Sequence, residues 1–208
     1  MGEDKLSACR KIGVMGGTFN PIHIGHLLMA KWAKEFVKLD AVIFMPAGNP
    51  YMKDPGEIVD GRIRLEMVRS AVEGQKDCYV SDMEIQRSGR TYTYETLQEL
   101  HSRYPDAELY FIAGADCLYA FDKWVHPEQI LANSKLIAAA RNGTATQEMK
   151  RTRDELMQRF GGEIILLEFP TLEVSSTMLR QRVREGKSIR YLTPDSVCGY
   201  IYENHLYV

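Results

Sequence analysis

Five short apolar runs punctuate the chain: Ile12–Met15, Ala41–Met45, Leu109–Ala113, Leu136–Ala140 and Ile164–Leu167. The first three stop at Gly16-Gly17, Pro46 and Gly114. Runs this short, bounded by turn residues, read as parallel strands buried on both faces. Between them the apolar residues recur at helical spacing. Leu28, Trp32 and Phe36 form one stripe, Ile63, Met67, Val68 and Ala71 a second after a cap at Asp60, and Tyr94, Leu97, Leu100 and Tyr104 a third after Thr93. Such stripes read as core. Met178–Val183 follows Ser175-Ser176, and a last helix over Asp195–Asn204 is opened by Pro194. The alternation predicts an α/β fold: an open parallel sheet with helices on both faces and a small C-terminal helical segment. One domain over 1–208 suits the length. Asn49–Val59 and Gly143–Arg151 read as loops. In such a sheet ligands bind beyond the carboxyl ends of the strands, so the functional residues should follow the apolar runs.

Composition narrows the class. Lys plus Arg total 26 against 28 for Asp plus Glu, a net charge of -2, so nothing advertises nucleic acid or a membrane surface as partner. The exception is local: Arg180, Arg182, Arg184, Lys187 and Arg190 crowd eleven residues that hold one acid, Glu185. Most of these read as a solvated face, and one or two as an anion site. Cys9, Cys78, Cys117 and Cys198 are scattered, which suggests reduced thiols rather than zinc or a disulfide framework. Met1–Arg10 lacks the apolar core of a signal peptide, and no run of 18 apolar residues exists. A cytoplasmic protein is expected, with homo-oligomerisation left open.

The first run leads into Gly16-Gly17-Thr18-Phe19-Asn20-Pro21-Ile22-His23-Ile24-Gly25-His26. Glycines admit a close backbone approach, Thr18 adds a hydroxyl, and Gly25 allows tight packing where a helix begins. A helix N-terminus presents unpaired N–H donors to phosphate. His23 and His26, three apart, fall on one side of its first turn and can steady developing phosphate charge. Metal ligation is not expected there, because no Cys or third ligand stands nearby. This segment resembles the HxGH signature of the nucleotidyltransferase superfamily, here His23-Ile24-Gly25-His26. Val174-Ser175-Ser176-Thr177-Met178-Leu179-Arg180 is similar to the same superfamily's (I/V)SSTxxR motif. On residues alone, Ser175 and Ser176 are helix caps, and Arg180 one turn on adds a guanidinium for an anion. The resemblance implies a Rossmann-like fold in which this motif grips the β- and γ-phosphates of ATP.

Further segments resemble the bacterial nicotinate-mononucleotide adenylyltransferases. They are Arg90-Thr91-Tyr92-Thr93-Tyr94-Glu95-Thr96-Leu97, Gly114-Ala115-Asp116-Cys117-Leu118 with Lys123-Trp124, and the ending from Leu192-Thr193-Pro194 to Leu206-Tyr207. The resemblance implies transfer of the adenylyl group of ATP to nicotinate mononucleotide. It casts His23, His26 and Arg180 as catalytic. Gly16, Gly17, Thr18, Phe19, Gly25, Gly114, Asp116, Ser175, Ser176 and Thr177 fall to ATP, and Lys53, Thr91, Tyr92, Thr93 and Trp124 to the acceptor. Mg²⁺ is expected only as the companion of ATP. The chain departs from the family at Tyr51-Met52 before Lys53, at Val125 after Trp124, and at Asn20 and Thr91, where Asp and Ser are common. Nicotinamide mononucleotide or phosphopantetheine as acceptor, or a sensing module without turnover, are the competing readings.

Overall fold

The computed structural model describes residues 3–49, 58–140, 145–170 and 172–208. Its sheet has six strands: β1 (Lys11–Gly17), β2 (Ala41–Pro46), β3 (Cys78–Val80), β4 (Glu108–Gly114), β5 (Lys135–Ala140) and β6 (Ile164–Glu168). Their order is β3-β2-β1-β4-β5-β6. The helices are α1 (Glu3–Leu6), α2 (Ile24–Val37), α3 (Gly61–Val72), α4 (Met83–Gln86), α5 (Thr93–Arg103), α6 (Ala115–Ala120), α7 (Pro127–Asn133), α8 (Gln147–Phe160), α9 (Ser176–Arg184) and α10 (Asp195–Glu203). The sheet is parallel, as the alternation of strands and helices requires. The chain winds outward from β1 in one direction through β2 and in the other through β4, the arrangement that gathers ligand loops at the carboxyl ends of the central strands.

Two compact units divide the chain. The first comprises Met1–Gly16, Met29–Ile43 and Tyr92–Thr171. In it, parallel pairing sets Val14 opposite Phe111, Ile112 opposite Ile137 and Ala139 opposite Leu167. These strands are hydrophobic on both faces because both are buried: every residue of β2 and five of six in β5 are inaccessible. The second unit comprises Gly17–Leu28, Phe44–Thr91 and Leu172–Val208. There α3 starts at Asp60, whose carboxylate accepts from the Arg62 amide at 2.8 Å. Ser196 at the head of α10 donates to the Ser70 carbonyl of α3 at 3.0 Å.

All five apolar runs are strands. The sixth, β3, is three half-buried residues with no apolar run to announce it. The expected loop Gly143–Arg151 is shorter than its reading, because α8 begins at Gln147 with the Thr146 hydroxyl accepting from the Met149 amide at 3.1 Å. Phe36 is 61% exposed and not core; the buried residues of α2 are Ala30 and Ala33.

Candidate active site

The histidine pair is built by the first turn of α2, in the second unit. The His23 carbonyl accepts from the His26 amide at 3.0 Å, which makes His23 the residue that opens the helix. Residues three apart meet on one face, and the two rings stack with centroids 3.7 Å apart and planes 29° apart. The His23 amide donates to His26 Nδ1 at 3.2 Å. A backbone N–H can only donate, so Nδ1 is an acceptor and a neutral His26 carries its proton on Nε2. The edge of Phe19 supports the His26 ring from the other side, at 5.0 Å and 79°.

Gly25 is needed for this stack. A Cβ there would come 3.0 Å from His23 Nδ1 and 3.1 Å from its Cε1, closer than the ring tolerates without moving. Gly16 and Gly17 have similar reasons: their side-chain space is occupied by the rings of Phe111 and Phe19 respectively. His23 is buried, and its Nδ1 has no hydrogen-bond partner among the described residues. Desolvation pushes its pKa down to about 4. His26 is held well below 6.5 first by burial and then by His23 beside it. At neutral pH the pair is therefore uncharged.

The second predicted segment meets the first. The Ser175 hydroxyl caps α9 by accepting from the Met178 amide at 3.2 Å. Ser176 turns the other way and donates to the Pro21 carbonyl at 2.8 Å. Arg180, one turn on, is buried and donates from Nη1 to the Asn20 carbonyl at 2.9 Å. The chain after α9 adds to this grip: the Thr193 hydroxyl donates to the Ile22 carbonyl at 2.8 Å, and the Leu192 carbonyl accepts from the Ile24 amide at 3.1 Å. Residues some 155 to 171 apart in sequence thus hold the loop that carries the histidines. The result is a helix N-terminus, a neutral imidazole donor and a buried guanidinium in one unit, the ingredients of a polyphosphate site.

The other predicted residues are placed as follows. Thr18 is half-buried, Thr177 is exposed on the first turn of α9, and Thr91 is buried, all in the second unit with Gly17 and Phe19. Gly16, Gly114, Asp116, Tyr92, Thr93 and Trp124 belong to the first unit. Asp116 is exposed on the first turn of α6, Tyr92 and Thr93 open α5, and Trp124 is half-buried with its ring against Phe111 (5.9 Å, 73°) and Phe121 (5.7 Å). Lys53, with Tyr51 and Met52, lies outside the described residues. Within the basic cluster Arg180 is buried at the loop, while Lys187 pairs with Glu185 on the surface at 2.7 Å. Sequence reasoning missed Arg64, which is 1% exposed and donates to the Thr18 carbonyl at 2.8 Å. Its signal was available: Arg64, Met67, Val68 and Ala71 fall at i, i+3, i+4 and i+7, so the arginine shares the apolar stripe.

Comparison with known proteins identifies the family and the fold. The cytidylyltransferase-like family model matches residues 14–182. A probable nicotinate-nucleotide adenylyltransferase of Lachnoclostridium phytofermentans is 43% identical over 199 residues, covering 96% of this chain and 100% of that one. Another so named, from Desulfitobacterium hafniense, is 44% identical over 202 residues, 95% of this chain and 96% of that one. The fold is shared with a solved structure of Plasmodium falciparum nicotinic acid mononucleotide adenylyltransferase complexed with NaAD. That chain has a TM-score of 0.78 and 18% identity, with 95% of this chain and 97% of that chain covered.

Proposed function

Because the chain belongs to the cytidylyltransferase-like family, among the nicotinate-nucleotide adenylyltransferases, we propose that it transfers the adenylyl group of ATP to nicotinate mononucleotide, giving nicotinate adenine dinucleotide and pyrophosphate. The observation that carries this reading is the meeting of the histidine loop with α9 through Ser176 on Pro21 and Arg180 on Asn20. Two sequence-distant motifs named for one triphosphate then belong to one structural unit.

In this reaction a 5′-phosphate oxygen of the acceptor forms a bond to the α-phosphorus of ATP, and the bond from that phosphorus to the bridging oxygen of pyrophosphate breaks. No covalent intermediate with the protein is required; positioning and charge neutralisation supply the catalysis. His26 donates from Nε2–H, and His23 completes the pair. Arg180 and the amides at the head of α9 take the charge that moves onto the leaving pyrophosphate. Gly17 and Thr18 seat the nucleotide, Gly16, Phe19, Gly25 and Gly114 also serve ATP, and Asp116 meets a ribose hydroxyl or the bound ion. Lys53 neutralises the acceptor phosphate, the backbone of Thr91, Tyr92 and Thr93 receives the nicotinate carboxylate, and Trp124 stacks near the nicotinate ring.

Mg²⁺ fits as part of the nucleotide. Phosphate oxygens and water would hold the ion, which would supply charge neutralisation. No helix among the described residues is long and apolar enough to cross a membrane. The test is incubation with ATP, Mg²⁺ and, separately, nicotinate mononucleotide, nicotinamide mononucleotide and phosphopantetheine, reading pyrophosphate and dinucleotide. The expected result is product preferentially with nicotinate mononucleotide. Product only with phosphopantetheine, or tight ATP binding with no product from any acceptor, refutes the proposal.

A further inference from the structure

Behind the histidine loop lies a closed ring of hydrogen bonds to which the reaction above gives no task. Arg64 of α3 donates from Nη1 to the Thr18 carbonyl at 2.8 Å, from Nε to the Val59 carbonyl at 3.0 Å and from Nη2 to the Gly48 carbonyl at 3.0 Å. The Val59 amide in turn donates to Asn20 Oδ1 at 3.3 Å, which closes the ring two residues beyond Thr18. The Tyr207 hydroxyl donates to the same oxygen at 2.9 Å, and Arg180 holds the Asn20 carbonyl. Between the two anchored residues stands Phe19 with φ +48°. A bulky side chain in the left-handed region costs roughly 1–2 kcal/mol and persists only where its surroundings fix it. The Phe19 ring is the one whose edge meets His26.

This is an expensive way to fill a core. A guanidinium 1% exposed, hydrogen-bonded to three carbonyls, carries a desolvation penalty that an apolar side chain of similar volume would not. What the guanidinium adds is a rigid fork that sets three backbone segments in one register. Tyr207 adds a hydroxyl from 187 positions along the chain from Asn20, the residue it touches.

We propose that Arg64 and Tyr207 are positioning residues. Through Thr18 and Asn20 they fix the loop that leads into His23, and so set where the imidazole pair and Arg180 stand against the substrate phosphates. The proposal rests on the adenylyl-transfer reading. It is tested with Tyr207→Phe, which removes one hydroxyl, with Arg64→Lys, which keeps the charge and loses the fork, and with Arg64→Met, which replaces the charge by an apolar chain. Ser196→Ala serves as the control, since it removes a hydrogen bond of α10 that does not reach the loop. kcat, KM for each substrate and Tm are measured for all four.

The expected result is a fall in kcat of about tenfold in Tyr207→Phe and both Arg64 variants, since misplacing reacting groups by about 1 Å can cost 100-fold. KM changes less than kcat, Arg64→Met lowers Tm because three carbonyls lose their donor but still folds, and Ser196→Ala keeps the wild-type kcat. A kcat within about twofold of the wild type in Tyr207→Phe or in a folded Arg64→Met overturns the proposal. If the wild type itself makes no dinucleotide, it is the adenylyl-transfer reading that fails. Imidazole ¹⁵N spectra then decide the positioning role: a His26 signal that moves away from the Nε2–H form in Tyr207→Phe supports it, and an unchanged spectrum overturns it.

Discussion

The neutral histidine pair makes stability depend on pH in a way that a single variant isolates. His23 protonates near 6.5 when the chain is unfolded and near 4 when folded, because burial disfavours its charged form. Between those values the unfolded chain binds more protons, so stability falls as the pH falls, and His23's share of the loss is nearly complete at pH 4. At about 1.4 kcal/mol per pH unit, the drop from 6.5 to about 4 amounts to about 3 kcal/mol. Urea unfolding of the wild type and of His23→Gln at intervals from pH 7.5 to pH 4 measures this directly. Glutamine does not titrate, and the carboxylates titrate in both proteins. Subtracting the two curves therefore leaves the His23 imidazole together with its coupling to His26. The wild type is expected to lose about 3 kcal/mol relative to His23→Gln across that range. A difference that stays constant within about 0.5 kcal/mol, the usual error of additivity, would show that His23 titrates as if exposed and refute the buried, uncharged pair.

Three further outcomes follow from the same geometry. Gly25→Ala sets a methyl 3.0 Å from His23 Nδ1 and should lower stability by about 1–3 kcal/mol by urea unfolding while lowering kcat, because the stacked rings must shift. Ser176→Ala removes the hydroxyl that donates to the Pro21 carbonyl and should cost about 1 kcal/mol in the same assay, with kcat falling more than KM rises. Thr146→Ala removes the cap of α8 and should lower stability by about 1 kcal/mol with kcat unchanged, since α8 carries no site residue.

Much of the fold could be read from the chain because buried parallel strands leave apolar runs, and β1, β2, β4, β5 and β6 each cover one. β3 could not, since Cys-Tyr-Val at a half-buried position carries neither alternation nor a run. α8 escaped because its core contacts reduce to Met149 and Leu156 among charged residues, too sparse a stripe to announce a helix. For the site, the glycines and histidines of the first loop stood out by type and spacing, and Asp60 and Ser175 cap the helices that their positions suggested. The supporting residues did not stand out. Arg64 looked like Arg62 and Arg69 beside it, and only its place on the stripe of Met67 and Val68 marks it as buried. That Tyr207 touches Asn20 is a property of the folded chain alone, because hydrogen bonds across 187 residues leave no periodic trace.

The burial of the histidines also bears on how charge would be shared in the proposed reaction. Two imidazoles stacked at 3.7 Å repel when both are protonated, and desolvation already opposes either charge. The pair therefore brings donors rather than net charge to the phosphates. Positive charge must come from groups that cannot lose it at neutral pH, and Arg180 at the Asn20 carbonyl is such a group. The dipole of α2 adds to that charge at its N-terminus, where His23 opens the helix. This division has a kinetic logic. A neutral Nε2–H gains strength as negative charge grows on the phosphate oxygen in the transition state. A full imidazolium would bind the already charged ground state almost as tightly and lower the barrier less. Keeping the rings dry costs stability as the pH falls, and it leaves the loop a donor set whose grip grows as the reaction proceeds.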